Sequence, residues 1–317
     1  MEWFLMIAGF MLASYAIVAN DAIQTLGTFL SSNSKRPWWV LWLYSTAILV
    51  AVLLWGWFTH GGDPSYGRLD TIAHPEHFTW LYVLPPVVLL VLTRFGMPVS
   101  TTFLVLTVFS PESLRSMVDK SLLGYGVAFG VAVVVYMAIA RLVSARLIET
   151  SNEPPSRFWT GLQWISTGFL WAQWLIQDLA NIFVYLPRPL GGGLLVGSLV
   201  LMMSLHAWIF YKAGGAIQKI VTSKTNTGDI RSATLIDFMF ALVLLFFKEL
   251  SSIPMSTTWV FLGLLGGREL ALTLRLQVRT AQNAGWIITR DVVKAATGLA
   301  VSVALALALP WLTALTR

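Results

Sequence analysis

Long apolar stretches alternate with short polar connections along the whole chain. The apolar stretches cover about residues 3–30, 38–58, 78–92, 97–109, 122–143, 158–176, 190–211, 235–247, 253–265 and 292–315. Some approach the roughly 20 residues that a helix needs to cross a bilayer, and others are too short or too polar for a simple span. The pattern predicts an all-α polytopic membrane protein with about ten crossings, in which some helices are broken or re-entrant.

Composition supports the membrane class and excludes others. Only 11% of the 317 residues are charged, 56% are hydrophobic and the mean hydropathy is +0.72, whereas soluble domains carry about 25% charged residues. A soluble enzyme, a secreted module and a disordered tail are therefore excluded. We expect a multi-pass protein of the cell membrane, surrounded by the lipid bilayer. The absence of cysteine excludes disulfides, thiolate catalysis and cysteine-ligated metals.

The formal net charge of +6 is unevenly distributed. Basic residues gather around 35–36, 141–157, 212–231 and 268–294, and such clusters mark cytoplasmic loops. The connection 59–77 is more acidic than basic, so it belongs outside. This assignment puts both termini outside and gives each half of the chain an odd number of crossings. Nucleic-acid binding is not expected, because no basic stretch is interleaved with aromatic residues in a polar context.

Two polar motifs occur twice in the same order. Asp21 and Asp178 each follow a carboxamide residue and precede another by three positions. Further on, a Pro-x-Ser-Thr-Thr string contains Ser100 in the first half and Ser256 in the second. The Asp-to-Ser spacing is 79 residues in the first half and 78 in the second. Two motifs at nearly one spacing indicate an internal repeat.

An odd number of crossings per half turns the second copy upside down. The sequence therefore predicts two inverted-topology repeats, 1–150 and 151–317, as in many secondary transporters whose site lies where broken helices meet. Pro98 and Pro254 each remove a backbone donor and disfavour helix in the preceding residue. Each should break a hydrophobic segment where three hydroxyl residues follow.

The two aspartates are candidate cation ligands. A carboxylate at membrane depth is costly unless it is paired, hydrated or bound to a cation. Carboxamides lie beside both carboxylates, and the whole candidate set is Asn20, Asp21, Gln24, Gln177, Asp178 and Asn181. Carboxylate, amide and backbone carbonyl oxygens suit Na⁺. The alternative is that both aspartates only cap broken helices.

The hydroxyl triplets are candidate anion ligands. They comprise Ser100, Thr101, Thr102, Ser256, Thr257 and Thr258. If each triplet opens a half-helix, its hydroxyls and free N–H groups point the same way, and helix N-termini bind anions. A tetrahedral oxyanion could be held by such donors. The alternative is that each hydroxyl returns a hydrogen bond to its own helix.

These motifs resemble those of the inorganic phosphate transporters of the PiT type, whose halves each carry a Gly-Ala-Asn-Asp-Val-Ala-Asn string and a later Pro-Val-Ser-Thr-Thr-His string. The matching residues are Ala19, Asn20, Asp21, Gly27, Thr28, Gly96, Pro98, Val99, Ser100, Thr101 and Thr102 in the first half, and Asp178, Ala180, Asn181, Pro254, Ser256, Thr257 and Thr258 in the second. The chain departs from the family at Val18, Gln24, Gln177, Phe103 and Trp259, where the family has Gly, Asn, Asn, His and His.

The resemblance implies an ion-coupled secondary transporter of inorganic phosphate that works by alternating access, with Na⁺ as coupling ion and no cofactor. Sulfate or another tetrahedral oxyanion, and coupling to H⁺, stay open as alternatives, as does a homodimer. An enzyme is not expected, since the sequence shows no nucleophile with a base and no His/Glu cluster at helical spacing. A passive channel would differ by lacking uphill accumulation.

Overall fold

The computed structural model describes residues 1–94, 99–149, 156–214, 218, 230–250, 254–276 and 281–315, with backbone alone in 139–149, 275–276, 281–284, 287 and 309–315. The fold is 83% helical, and the described ranges contain no strand. The all-α class is therefore confirmed. Pro98 lies outside the described residues.

The helices run in chain order as α1 (Glu2–Ile17), α2 (Ile23–Ser32), α3 (Trp38–Thr59), α4 (Leu84–Arg94), α5 (Thr107–Phe109), α6 (Leu114–Glu149), α7 (Arg157–Asp178), α8 (Ala180–Phe183), α9 (Gly192–Tyr211), α10 (Ile230–Leu250), α11 (Thr257–Leu276) and α12 (Ala281–Leu315). Two π-helical segments, Val18–Ala22 and Thr102–Leu106, connect α1 to α2 and lead into α5. Short 3₁₀ turns cover Trp80–Val83 and Pro111–Ser113.

Six helical segments in the described residues are long and apolar enough to cross a membrane. They are Glu2–Ser32, Trp38–Thr59, Pro111–Ala138, Gly192–Tyr211, Ile230–Leu250 and Ile288–Ala308. By contrast, the 11 residues of α4 rise only about 16 Å, roughly half of a bilayer core. The multi-pass architecture follows from these lengths, while about ten crossings and inverted repeats stay predictions.

Large apolar side chains face outward and polar ones face inward. Trp55, Phe58 and Ile165 are 66%, 71% and 70% exposed, whereas Asn20, Asp178 and other polar groups are fully buried. This is the reverse of a soluble protein, in which charged groups are almost never fully buried. The outer surface is therefore suited to lipid, and the chemistry lies in the interior.

Helix α11 packs closely along α6, and α10 packs along α7. The α6–α11 contact depends on glycine, because a Cβ on Gly263 or Gly267 would overlap the backbone carbonyl oxygen of Tyr125 or Phe129. Small residues four positions apart let membrane helices approach this closely. The middle of α11 is thereby held close against α6.

The two ends of the molecule are built differently. One end, which we call the loop end, carries the segment 60–79; there the N–H of Leu190 donates to the carbonyl of Gly62 at 2.9 Å. Beneath it lies an aromatic cluster, Phe78, Tyr82, Phe109 and Tyr185, with neighbouring ring centroids 4.9–6.1 Å apart. At the opposite end, Gln218 donates to the carbonyl of Gly27 and to Ser31.

Candidate functional site

The first aspartate lies where a helix is interrupted. Asp21 is in the π-helical segment between α1 and α2, and it is 2% exposed. Its Oδ1 accepts hydrogen bonds from the side chains of Asn20 at 2.8 Å and Gln24 at 3.4 Å. Asn20 also donates to the carbonyl of Val99 at 3.3 Å. The carboxylate and both predicted carboxamides of the first half therefore form one group.

The second aspartate lies at a comparable interruption. Helix α7 ends at Asp178, and α8 begins at Ala180. The Nδ2 of Asn181 donates to Oδ1 of Asp178 at 2.7 Å. Gln177 instead turns towards α10 and donates to the carbonyl of Leu244 at 3.0 Å. The structure thus groups Asp178 with Asn181, and Gln177 contacts a different element.

The hydroxyl triplets lie at helix starts, as predicted. The Oγ of Ser100 accepts from the N–H of Phe103 at 3.2 Å, and the Oγ of Ser256 accepts from the N–H of Trp259 at 3.3 Å. Both serines therefore cap the N-terminus of a helical segment in the same way. Since each Oγ accepts in this bond, each hydroxyl hydrogen remains available to a ligand.

Contacts between the two triplets are reciprocal. The hydroxyl of Thr102 donates to the carbonyl of Met255 at 3.2 Å, and that of Thr258 donates to the carbonyl of Val99 at 3.5 Å. Each acceptor is the residue just before the serine of the other string. These two threonines bond across the molecule, so for them the alternative of a hydrogen bond to their own helix does not apply. A two-fold relation between the strings would produce such a pair.

The aspartates and hydroxyls meet in one buried site. Thr101 donates to Oδ2 of Asp21 at 2.5 Å, and Asn181 donates to the hydroxyls of Thr101 and Thr102 at 3.1 and 3.3 Å. The two carboxylates are also close enough to interact electrostatically. All twelve predicted ligands are buried: Asn20, Asp21, Gln24, Ser100, Thr101, Thr102, Gln177, Asp178, Asn181, Ser256, Thr257 and Thr258.

The oxygens of the two aspartates differ in how fully they are bonded. Both oxygens of Asp21 accept hydrogen bonds. In the second half, Oδ2 of Asp178 and Oδ1 of Asn181 are buried and find no hydrogen-bond partner among the described residues. Such an oxygen costs about 1–3 kcal/mol when it is left unsatisfied. Buried oxygens on side chains that contact each other are suitable ligands for a cation, and the hydroxyls of Thr257 and Thr102 also lie beside the Asp178 carboxylate.

A third buried carboxylate, Asp237 on α10, was missed from the sequence. It is fully buried, and it accepts from the hydroxyls of Thr28 at 2.6 Å and Thr167 at 2.5 Å. These contacts join α2, α7 and α10. No motif surrounds Asp237, but a lone carboxylate in an apolar stretch is itself a signal of function or pairing.

Hydrogen bonds continue from Asp237 towards the end opposite the loop end. Gln163 donates to Thr167 at 3.3 Å, Asn33 donates to Gln163 at 2.8 Å, and Arg36 donates to Asn33 at 3.2 Å. We call the connected residues the polar chain: Thr28, Asp237, Thr167, Gln163, Asn33 and Arg36. The polar chain begins at Thr28, in the middle of α2, and ends at the basic residue Arg36, which follows that helix.

The charge pattern of the sequence assigns Arg68 to an outer loop, but the structure places it in the interior. Its side chain is only 3% exposed, and it lies within electrostatic range of Asp178. Burial lowers the pKa of Arg68 to about 10, against the opposite effect of the Asp178 carboxylate. The guanidinium therefore keeps its charge at neutral pH and contributes a positive charge near the site.

Comparison with known proteins gives the fold. No protein-family model matches the sequence, and no curated protein matches it. Among solved structures, the chain is similar to "The sodium-dependent phosphate transporter", with a TM-score of 0.68 and 15% sequence identity over 100% of this chain and 99% of that chain. The chain therefore shares the fold of that structure.

Proposed function

We propose that this chain is a secondary transporter that moves inorganic phosphate across the cell membrane by alternating access, with Na⁺ as coupling ion. The observation that carries the proposal is that two buried aspartates and two serine-capped helix starts meet in one site. The similar fold, found in a protein named as a sodium-dependent phosphate transporter, points the same way.

Ser100 and Ser256 are the proposed primary hydroxyl donors to the anion. Their hydroxyl hydrogens are not used by the caps, and they begin helical segments whose N–H groups and dipole favour negative charge. Thr102 and Thr258 already donate to backbone carbonyls, so their main proposed role is to connect the two Pro-x-Ser-Thr-Thr strings to each other. Thr101 donates to Asp21 and connects the anion and cation parts of the site.

Asp178 and Asn181 are the proposed main Na⁺ ligands, because their buried oxygens lack donors among the described residues. Thr102 and Thr257 lie beside the Asp178 carboxylate and could complete the oxygen set. Asp21, with Asn20 and Gln24, is proposed as a second cation site. Gln177 donates its amide nitrogen to α10, but its oxygen is also buried without a partner among the described residues, so it remains a candidate ligand.

The proposed architecture is two inverted repeats, 1–150 and 151–317, with both termini outside. The reciprocal Thr102 and Thr258 contacts and the matching serine caps support it. In this arrangement the loop end faces outward. The salt-bridge contact between Glu2 and His77 at 3.3 Å puts the N-terminus at that same end.

Uptake into proteoliposomes tests the function. Radiolabelled phosphate should accumulate against its gradient when Na⁺ is high outside, and accumulation should stop when Na⁺ is equal on both sides. Ser204→Ala is a matched control, because that serine on α9 is exposed and donates a hydrogen bond to the carbonyl of Val200 on its own helix. Ser256→Ala should reduce uptake and Ser204→Ala should not.

The same vesicles separate the alternatives. Excess sulfate should leave phosphate uptake unchanged if phosphate is the substrate, and should block uptake if the site takes any tetrahedral oxyanion. Accumulation driven by a proton gradient without Na⁺ would replace Na⁺ by H⁺ as coupling ion. Equilibration without accumulation would indicate a channel and contradict the proposal.

A further inference from the structure

Two cavities adjoin at the loop end, and neither is lined by a residue of the proposed transport site. The first has a volume of about 270 Å³, lies between α1 and α9, and has Leu186 in its wall. The second has a volume of about 460 Å³ and lies between the segment 60–79 and the connection from α8 to α9, where Pro187 and Arg188 line it. Because these three residues are consecutive, the two cavities meet along one stretch of backbone.

The first cavity is apolar and lies at the surface that faces lipid. Both of its helices belong to segments that are long and apolar enough to cross a membrane. Gly193 and Gly197 of α9 line the cavity, are exposed, and leave open space where a Cβ would stand. Among the described residues that line it, only Ser198 carries a polar side chain. A bound water needs two to four polar partners, so this cavity suits hydrocarbon instead.

The dimensions of the apolar cavity suit one acyl chain. Its wall on α9 extends from Gly193 to Leu201, a rise of about 12 Å. This is most of the depth of one leaflet, since the whole hydrocarbon core is roughly 30 Å thick. The volume is nearly twice that of an apolar cavity of about 150 Å³ that holds benzene. A chain seated here would place its headgroup at the loop end, where the second cavity lies.

The second cavity carries both signs of charge. Asp70, His74 and Arg188 line it. Arg188 donates to the carbonyl oxygens of Leu69 at 2.5 Å and Ile72 at 2.9 Å, so its guanidinium is held against the segment that contains Asp70. These two bonds leave most of the five N–H donors of the guanidinium for a ligand. The Nε2 of His74 is also buried without a hydrogen-bond partner among the described residues.

We propose that the two cavities form one binding site for a phospholipid with a zwitterionic amine headgroup, such as phosphatidylethanolamine. The acyl chain lies between α1 and α9, the phosphate binds Arg188, and the ammonium group binds Asp70. A guanidinium fork matches two oxygens of a phosphate, and the opposite charges of Asp70 and Arg188 complement those of the headgroup. The inference is independent of the proposed transport activity.

Headgroups that lack one of these features bind less well. Phosphatidylglycerol offers the phosphate but no cation for Asp70. Phosphatidylcholine offers a cation, but its trimethylammonium group has no N–H to donate. The site therefore selects phosphatidylethanolamine over both lipids, although all three can share the same acyl chains.

Thermal unfolding of the purified full chain in detergent, titrated with each of the three lipids as dioleoyl forms, tests the site. Tm should rise most with phosphatidylethanolamine, because a ligand that binds the folded state stabilises it. Arg188→Gln should weaken the binding of all three lipids about tenfold, as for a lost hydrogen bond to a charged group. Arg115→Gln is the control, because the Arg115 side chain is 94% exposed on α6. Equal rises in Tm with all three lipids in wild type would overturn the proposal.

Asp70→Asn tests the headgroup without disturbing the clasp made by Arg188. Asp70 is exposed, so folding should survive. The preference for phosphatidylethanolamine over phosphatidylglycerol should disappear, because the amine loses its partner while the phosphate keeps Arg188. Asp119→Asn, at an exposed position on α6, should keep the preference. An unchanged preference in Asp70→Asn contradicts the assignment.

Gly197→Leu tests the acyl chain, because the added side chain would occupy the apolar cavity. It should weaken phosphatidylethanolamine binding and leave the headgroup preference as in wild type. Gly126→Leu is the matched control, since Gly126 on α6 is also exposed with nothing within 4 Å of a Cβ. The mass of the protein in detergent is measured in parallel. If Gly197→Leu converts a dimer to a monomer and binds the lipid like Gly126→Leu, the cavity is an interface between copies and the proposal is wrong.

Discussion

At the scale of single residues, the site separates groups that the sequence presents as equivalent. Asp21 and Asp178 occupy matching motifs, but both oxygens of Asp21 accept hydrogen bonds, whereas Gln177, Asp178 and Asn181 each hold a buried oxygen without a hydrogen-bond partner among the described residues. The sequence pointed to most of the residues that meet here, because polar groups at membrane depth stand out against an apolar background, but Gln177 contacts α10 instead. It did not predict their hydrogen bonds, which depend on contacts between residues about 80 positions apart, such as Thr101 with Asp21.

Asp178→Asn should abolish the dependence of phosphate binding on Na⁺, and Asp21→Asn should weaken it less. Asparagine keeps the size and one oxygen but removes the charge that balances Na⁺, and at Asp21 three side-chain donors already stabilise the carboxylate. Titration of phosphate over a range of Na⁺ concentrations measures this. Asp119→Asn, at an exposed position on α6, is the control. Wild-type Na⁺ dependence in Asp178→Asn would contradict the cation site.

Ser100→Ala and Ser256→Ala should each raise the phosphate dissociation constant about 10- to 150-fold, the range for a lost hydrogen bond to a charged group. Backbone N–H groups remain in both variants, so binding should weaken without vanishing. Since both serines are proposed to contact one anion, the double variant should deviate from additivity. Isothermal titration of the two single variants and the double variant gives the coupling. Additive, small effects would put the anion elsewhere.

At the scale of elements, the apolar pattern located helices but not their interruptions. The stretch at about 122–143 becomes the longer helix α6 (Leu114–Glu149), because residues outside the apolar window still continue a helix. The π-helical segment Val18–Ala22 carries no proline or glycine, so nothing local marks it. In this π-helical segment Asn20 and Asp21 make tertiary contacts with Val99 and Thr101, and the spacing of residues in the sequence does not reveal such contacts.

Gly263→Ala should destabilise the protein by about 1–3 kcal/mol, the usual cost of overpacking. The added methyl group would overlap the Tyr125 carbonyl, and α11 could not approach α6 as closely. Gly130→Ala is the control, because a Cβ at this position on α6 meets nothing within 4 Å. Thermal unfolding in detergent compares them. Ser256 directly precedes α11, so phosphate affinity should also fall in Gly263→Ala. Equal stability of Gly263→Ala and Gly130→Ala would contradict the close packing of α11 against α6.

At the scale of the whole molecule, the repeat in the sequence corresponds to contacts made in reciprocal pairs across the site. Thr102 with Met255 and Thr258 with Val99 link the two halves. The sequence spacing predicts that the two motifs belong to related halves, and this stays a prediction. It could not predict the asymmetry between the ends, because Asp237 and the aromatic cluster have no repeated motif around them.

The predicted topology rests on the charge pattern and can be tested directly. The chain contains no cysteine, so a single introduced cysteine is the only labelling site. A cysteine at His60, in the loop end, should react with an impermeant thiol reagent in intact cells. One at Lys224 should react only after the membrane is opened. Reaction of the Lys224 cysteine from outside would contradict the inverted arrangement.

In the proposed alternating-access cycle, the aromatic cluster would close the loop end and the polar chain would close the opposite end, so opening the two ends should change the heat capacity differently. Separating the rings of the aromatic cluster would expose apolar surface to water, which raises the heat capacity of the opened state. Breaking the polar chain would expose polar groups, which lowers it. The activation enthalpy of opening the loop end should therefore change with temperature, giving a curved Arrhenius plot. Opening of the other end should show weaker curvature of the opposite sign. Cooling would then alter the balance between states open to opposite sides of the membrane.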